Sequence, residues 1–268
     1  MAEHAGILTG VYEVCIGVPD LDVAIADWRP FGFTPGQRGN LDQTSASELY
    51  NVPSALQSVR LGHGEADSGL IRLMQWDQPL GDGLGLAPLR ATGCRWSVQR
   101  TENLLLLWNH VEVLAARGAV LATTGPELNA RVSGAAATSY PLQEAFPASR
   151  NLQLFRPYYQ QVVMQRFDID VSAYGSIDPN CLFGTTEFCH MAVVTRDRTE
   201  VEFYEDVLGF RKGSEFTIGH NPDSVATRMF DLKPEERLTE INFENPCSGD
   251  KPSEIRAGRL RVFFIDSN

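Results

Sequence analysis

VYEVCIGVPDLDVAIADWRPFGF, residues 11–33, and FCHMAVVTRDRTEVEFYEDVLGF, residues 188–210, are two versions of one pattern. In each, the alternating apolar residues of a strand lead to an aspartate, Asp20 or Asp197. Such a side chain can accept the free N–H groups of a first helical turn. A helix-length segment follows and ends on Gly-Phe, with the phenylalanine 13 residues beyond the aspartate in both. We therefore predict the same strand–helix unit at both places.

The apolar residues of both helix-length segments recur at helical spacing, which predicts one buried face for each helix. The inward positions are Leu21, Ala24, Ile25 and Trp28 in the first helix and Val201, Tyr204 and Leu208 in the second. Gly32 and Gly209 fit the helix ends, where a left-handed residue is least costly as glycine.

Strand-like segments follow each helix, so the repeated unit has one strand, one helix and three strands. The first unit continues through residues 56–63 and 69–79, and the later one through residues 216–220, 224–232 and 237–246. A weaker copy starts at 93–121 and ends at 151–157, and a fourth start occurs at 258–268. The predicted fold class is α+β, built from repeated βαβββ modules that form half-barrel sheets.

These repeats predict the organisation of the whole chain. Residues 1–157 hold a first pair of modules, 158–185 a linker, and 186–268 a third module plus the first strand of an incomplete fourth. An incomplete module leaves sheet edges open, so we predict a homodimer. A doubly wound parallel sheet is the alternative, but no GxGxxG segment opens a helix, and we expect no nucleotide cofactor.

Charge and composition narrow the function classes. The net charge is −11 and the sequence pI is near 4.9, which disfavours nucleic acid and anionic membranes as partners. We expect a cytoplasmic protein, since neither a secretion signal nor a run of 18 apolar residues is present. The five cysteines are odd in number and form no CxxC pair, which disfavours disulfides and structural zinc.

The βαβββ cadence, with VLGF (207–210) after Asp197 and PFGF (30–33) after Asp20, resembles the vicinal oxygen chelate superfamily. This superfamily includes glyoxalase I, extradiol dioxygenases, methylmalonyl-CoA epimerase and bleomycin-resistance proteins. The resemblance implies paired modules around a U-shaped cleft for a small-molecule substrate. It also implies a divalent metal ion (zinc, iron, manganese, nickel or magnesium) held by inward side chains of first and last strands.

The resemblance also suggests metal ligands. The first-strand ligand of such proteins stands seven residues before the helix-capping aspartate, which gives Glu13 and His190 here. The last-strand ligand is usually a glutamate between apolar residues, which gives Glu240 in the third module. Alignment with the first module leaves open whether Glu240 faces the cleft. Glu13 and Glu240 are also the predicted catalytic carboxylates.

Other module positions carry residues that suit a substrate better than a metal. The same spacing gives Arg95 in the second module and Arg259 in the fourth, where an alternative alignment gives Leu260; both arginines remain cationic. The last-strand position of the second module gives Gln153. We therefore predict that Arg95, Arg259 and Gln153 bind an acidic, oxygenated substrate.

Three functions fit this set of residues. The first is a metal-dependent enzyme of lyase or isomerase type. It is preferred over a ring-cleaving dioxygenase because His190 is the one histidine at a ligand position. The second is a metal-free acid–base enzyme in which Glu13, near Arg95, takes a proton. The third is a non-catalytic protein that binds or sequesters a small molecule. The motifs specify the fold more than the activity.

Overall fold

A computed structural model describes residues 11–79, 81, 83, 85–86, 89–129, 149–166, 175–244 and 259–267. It shows the predicted α+β fold, with three βαβββ modules arranged in two sheets. No helix among these residues is long and apolar enough to cross a bilayer.

The first module forms a sheet by itself. Its elements are β1 (Glu13–Gly17), α1 (Leu21–Trp28), β2 (Phe33–Leu41), α2 (Gln43–Tyr50), β3 (Leu56–His63) and β4 (Leu70–Trp76). The strand order is β1-β4-β3-β2, with β1 parallel to β4 and the other pairs antiparallel. We call this the first sheet.

The second and third modules share one larger sheet, which we call the composite sheet. The second module contains β5 (Gly93–Arg100), α3 (Leu104–Ala116), β6 (Ala122–Thr123), β7 (Glu127–Asn129), β8 (Ser149–Phe155) and β9 (Gln160–Arg166). The third contains β10 (His190–Val194), α4 (Thr199–Glu202), β11 (Arg211–Gly219), α5 (Val225–Phe230), β12 (Glu236–Glu244) and β13 (Arg259–Ser267). The order β11-β12-β13-β10-β5-β9-β8-β6 joins them where β10 pairs antiparallel with β5.

Residues 224–232, predicted as a strand, contain the helix α5 instead. Two predictions about strand pairing were also wrong. The segment 258–268 does not open a fourth module, because β13 lies parallel to β10 and antiparallel to β12 and so closes the third. The predicted linker 158–185 contains β9, the last strand of the second module. Both errors arise because strand pairing depends on residues far apart in sequence. The homodimer stays a prediction, now without the support of an incomplete module.

The local signals at the helix ends are confirmed. The Asp20 carboxylate accepts the backbone N–H of Val23 at 2.9 Å, and that of Asp197 accepts the N–H of Thr199 at 2.9 Å. Gly32 has a φ of 81° and Gly209 a φ of 71°, both in the left-handed region that favours glycine.

A shared core joins the first sheet to the composite sheet. Trp28 of α1 is 3% exposed and packs edge-on against Phe33 and Phe188, at centroid distances of 5.5 Å. The eight residues 183–190 are all buried. Their backbone bonds both modules: the N–H of Phe188 donates to Gly69 and that of Cys189 to Val98. This segment therefore fixes the first module against the second.

Candidate functional site

The composite sheet has one face covered by α3 and α4 and an opposite face, which we call the inner face. Leu152 and Leu154 of β8 pack with Leu107 of α3 in the shared core. Since side chains alternate along a strand, Gln153 points to the inner face. Its cross-strand partner Val162 packs with the apolar cluster on that face.

The hydrogen-bond register places predicted site residues in one row across the inner face. Gln153 on β8 pairs with Val162 on β9, which pairs with Val98 on β5. Val98 pairs with His190 on β10, and His190 pairs with Arg259 on β13. We call these five positions the central row. Three of them, Gln153, His190 and Arg259, are residues that the sequence predicted.

Gln153 is the most unusual member of the central row. It is 2% exposed, and neither the nitrogen nor the oxygen of its side-chain amide has a hydrogen-bond partner among the described residues. A buried polar group without a partner costs about 1–3 kcal/mol. Such a cost is typical of a group reserved for a ligand or water.

His190 occupies the middle of this inner face. Its side chain is fully buried, and its Nδ1 lies 3.1 Å from the Sγ of Cys189. Burial raises the pKa of Cys189 to about 12, so the thiol is neutral at physiological pH. The backbone N–H of Cys189 donates to Val98 at 2.9 Å and holds the start of β10 against β5.

The neighbouring row adds an ion pair. Arg261 is aligned with Ala192 of β10, and its Nη1 lies 3.5 Å from the Oε1 of Glu240 on β12. The two side chains are 28% and 18% exposed, so solvent reaches both. The Nε of Arg261 is buried and has no hydrogen-bond partner among the described residues. A partly accessible guanidinium therefore lies close to the central row.

The other end of the inner face is apolar and filled. Trp96, Phe230, Leu238 and Phe263 form a buried cluster there beneath α5. Arg90 anchors the end of α5, because its Nη1 donates to the Phe230 carbonyl at 3.1 Å and both Nη atoms bind Glu236. Hydrogen bonds from this guanidinium lower the pKa of Glu236 to about 2.

The predicted metal ligands His190, Glu240 and Glu13 are not brought together. Glu240 faces the inner face, since it shares a side with Leu238, but it lies on the third strand of its module and not the last. It is two strands from His190 and four residues further along. That separation is about 10 Å across and about 13 Å along the sheet. Glu13 lies in the first sheet. Among the described residues no three His, Cys, Asp or Glu side chains could hold a metal ion.

Glu13 binds two arginines of its own sheet. Its carboxylate accepts Arg72 Nε at 2.8 Å and Nη2 at 3.2 Å, and Arg60 Nε at 2.8 Å. Burial alone would raise the pKa of Glu13, but the hydrogen bonds from Arg72 and Arg60 outweigh it and hold the pKa below its usual value. A carboxylate held this way is a weak base and a poor metal ligand. The residues present therefore do not fit the implied divalent ion.

The predicted pairing of Arg95 with Glu13 was wrong. The Arg95 side chain folds back on the loop before β5, where it donates to the Ala91 carbonyl at 2.9 Å and to that of Thr92. Arg259 is known by its strand position, directly beside His190. Gln153 lies on β8, the fourth of the five strands of its module, and not on the last.

Three arginines of these faces were missed or misread from the sequence. Neither Arg60 nor Arg72 was among the predicted site residues. Arg261 lay in a strand assigned to the wrong end of a module. A signal was present, because Arg60 and Arg72 each stand between apolar residues in strands of the same predicted module as Glu13. Charge balance around a carboxylate in an apolar strand would have identified them.

Comparisons with known proteins agree with this topology. No protein-family model matches the sequence, and no curated protein is significantly similar to it. A putative dioxygenase from Bacillus subtilis has a similar structure, with a TM-score of 0.51 and 8% identity over 95% of this chain. The chain spans 63% of that protein's length.

Two further structures are similar at lower scores. A glyoxalase family protein from Bacillus cereus has a TM-score of 0.43 and 15% identity, covering 62% of this chain and 99% of its own. A variant of 4-hydroxymandelate synthase from Streptomyces coelicolor has a TM-score of 0.36 and 11% identity, covering 97% and 93%. The chain has a glyoxalase-like fold.

Proposed function

We propose that the central row of the composite sheet binds an oxygenated, acidic small organic molecule. Arg259 would pair with a carboxylate of the ligand, because a guanidinium fork matches two carboxylate oxygens. The Gln153 amide would bind a carbonyl or hydroxyl oxygen. His190 would lie beside the reacting carbon, next to Arg259. Ligand entry would pass the solvent-accessible Arg261 and Glu240.

The unpartnered amide of Gln153 carries this proposal. A side chain that only fills space at a 2%-exposed position is better apolar, since an unmet amide costs about 1–3 kcal/mol. Val162 and Val98 stand between Gln153 and His190, so the amide meets apolar neighbours along the row. A bound oxygenated ligand would satisfy both amide atoms. Because a ligand would offset the cost of the unmet hydrogen bonds, a ligand site is favoured over plain packing.

The proposed chemistry is proton transfer of the lyase or isomerase type, run without a metal ion held by His190, Glu240 and Glu13. His190 is the titratable side chain of the described central row, and Arg259 beside it would stabilise negative charge that develops on the ligand. Glu13, bound by two arginines, is not assigned the base role that the sequence suggested. Non-catalytic binding in the same row is the second candidate, favoured by the complete burial of His190.

A binding experiment tests the site. The probes are lactate, pyruvate and 2-oxoglutarate, titrated calorimetrically into the purified protein. Binding of at least one probe should weaken roughly tenfold or more in Gln153→Leu and in Arg259→Gln. The control Arg237→Gln removes the same charge from an exposed position on β12 and should bind as the parent does. Equal binding by all variants, or none by the parent, would overturn the proposal.

A second experiment separates catalysis from binding. The acid that binds is incubated with the protein in deuterium oxide. Loss of an NMR signal is then followed, that of the C2 proton of lactate or of the C3 protons next to the ketone of pyruvate or 2-oxoglutarate. Protein-dependent exchange that disappears in His190→Asn, with binding retained, supports proton transfer. Binding without exchange supports the non-catalytic function. Metal analysis of the same sample identifies any ion that contributes to the exchange.

A further inference from the structure

The first sheet carries a second polar site, on the face opposite α1. Val14 and Ile16 of β1 pack with α1 in the shared core, so Glu13 and Cys15 point the other way. The register aligns Cys15 with Arg72 on β4, and Arg72 with Arg60 on β3. Both arginines therefore lie side by side on this face. They belong to a different sheet from the central row.

Glu13 uses only part of the hydrogen-bonding capacity of these arginines. It takes the Nε of Arg60 and the Nε and Nη2 of Arg72. The described contacts leave both terminal nitrogens of Arg60 and the Nη1 of Arg72 available as donors. Two guanidinium charges and one carboxylate give the cluster a net charge of +1. The arginine side chains are 26% and 25% exposed, so a small ligand can reach them.

The sheet surface around the two arginines leaves open space for a ligand. Gly62 follows Arg60 on β3 by two residues and Gly17 follows Cys15 on β1 by two, which puts both on the same face. A Cβ added at either glycine would meet no atom within 4 Å. The Tyr12 ring lies 5.4 Å from Arg60 Cζ and holds that guanidinium by a cation–π contact.

We propose that Arg60 and Arg72 bind a small oxyanion, a carboxylate or phosphate group, on the open face of the first sheet. Glu13 orients the two guanidinium groups, so little side-chain freedom is lost when the anion binds. The remaining N–H groups match the paired oxygens of a carboxylate or phosphate. On a chain whose net charge is −11, a local positive site also directs anions to this face. This site is independent of the proposed function of the central row.

Malonate and inorganic phosphate are the two probes of this site. Each is titrated into the full-length protein at constant ionic strength, and the arginine Nε–H signals are followed by NMR. We expect saturable shifts of two arginine signals. The signal missing from Arg60→Gln is assigned to Arg60. Shifts caused by malonate and not by phosphate indicate an organic acid ligand. Shifts caused by phosphate and not by malonate indicate a phosphorylated ligand. Either result supports the site.

Two variants probe the site without dismantling it. In Arg60→Gln, Glu13 still binds Arg72. In Gly62→Val, the added side chain occupies the open space beside the arginines, and valine is favourable in a strand. Both should weaken anion binding by roughly tenfold or more, with the fold verified by circular dichroism. Arg237→Gln and Gln153→Leu should bind the probes as the parent does. The proposal fails if no probe saturates, or if Arg60→Gln binds as tightly as the parent.

Failure of this site and failure of the central row are distinguishable. Loss of binding in Arg60→Gln with no effect of Gln153→Leu supports the first-sheet site alone. The reverse pattern supports the central row alone and overturns this proposal.

Discussion

The first sheet and the composite sheet place the same module position in opposite environments. Glu13 and His190 both stand at the start of a module's first strand, seven residues before a capping aspartate. Glu13 is satisfied by two arginines on a face that solvent reaches. His190 is buried in a row that also contains an amide, that of Gln153, with no hydrogen-bond partner among the described residues. One topology thus supports a paired-charge site and a buried polar site.

The difference teaches how much the neighbouring strands decide. In the first sheet, β4 beside β1 contributes Arg72, and β3, the next strand beyond it, contributes Arg60. In the composite sheet the neighbours of His190 in its row are Val98 and Arg259. A carboxylate requires opposite charge nearby, whereas a histidine can stay neutral in an apolar setting. The same module position therefore supports different chemistry in the two sheets.

Weakening the shared core between the first sheet and the composite sheet should have the largest effect on stability. Trp28→Ala removes a ring that is 3% exposed and packed against Phe33 and Phe188. We expect the free energy of unfolding to fall by about 3–5 kcal/mol, the range for large-to-alanine changes in cores. Urea denaturation followed by circular dichroism measures it. Trp76→Ala removes a half-buried ring that contacts Tyr50 edge-to-face; it is the matched control and should cost clearly less.

Glu13→Gln should have an intermediate, destabilising effect. It leaves Arg60 and Arg72 close together without their shared carboxylate. The expected loss is about 1–2 kcal/mol at neutral pH, less than for a fully buried pair because the side chains are partly exposed. Thermal unfolding monitored at several pH values measures the difference. Glu48→Gln, at an exposed position on α2, should have almost no effect.

The pH dependence of this difference follows from the lowered pKa of Glu13. Burial opposes that lowering, and the hydrogen bonds from Arg72 and Arg60 outweigh it. The carboxylate therefore contributes its full stability above the unfolded-state value of 4.5 and loses it as pH falls through the lower folded-state pKa. Parent and variant should converge in acid. A difference that does not shrink with falling pH would contradict the ion-pair explanation.

Gln153→Leu should have the smallest effect on stability and the opposite sign. Leucine is close to glutamine in size and needs no hydrogen bond, so we expect a gain of about 1 kcal/mol. Denaturant unfolding with an unchanged m-value measures it. Gln57→Leu on β3, an exposed site, is the control. A loss of stability in Gln153→Leu would mean that the amide already has partners, and that the central row is a packing feature.

Part of the candidate site was predictable from the sequence. Gln153, His190 and Arg259 were named from module positions, and the register unites them in one row. The metal site was not predictable in the same way. It requires His190 and Glu240 to converge, and their distance depends on which strands separate them. The sequence places Glu240 in a strand, and only strand order puts β13 between it and β10.

The sequence by itself determined the local features: the modules, the capping aspartates and the left-handed Gly32 and Gly209. These depend on residues a few positions apart, so their physics is contained in a short window. Tertiary structure alone decided that Arg259–Ser267 closes a module and that Glu13 pairs with Arg60 and Arg72. Those outcomes rest on hydrogen bonds and charges from distant segments. A strand's own alternation of side chains does not specify its neighbours.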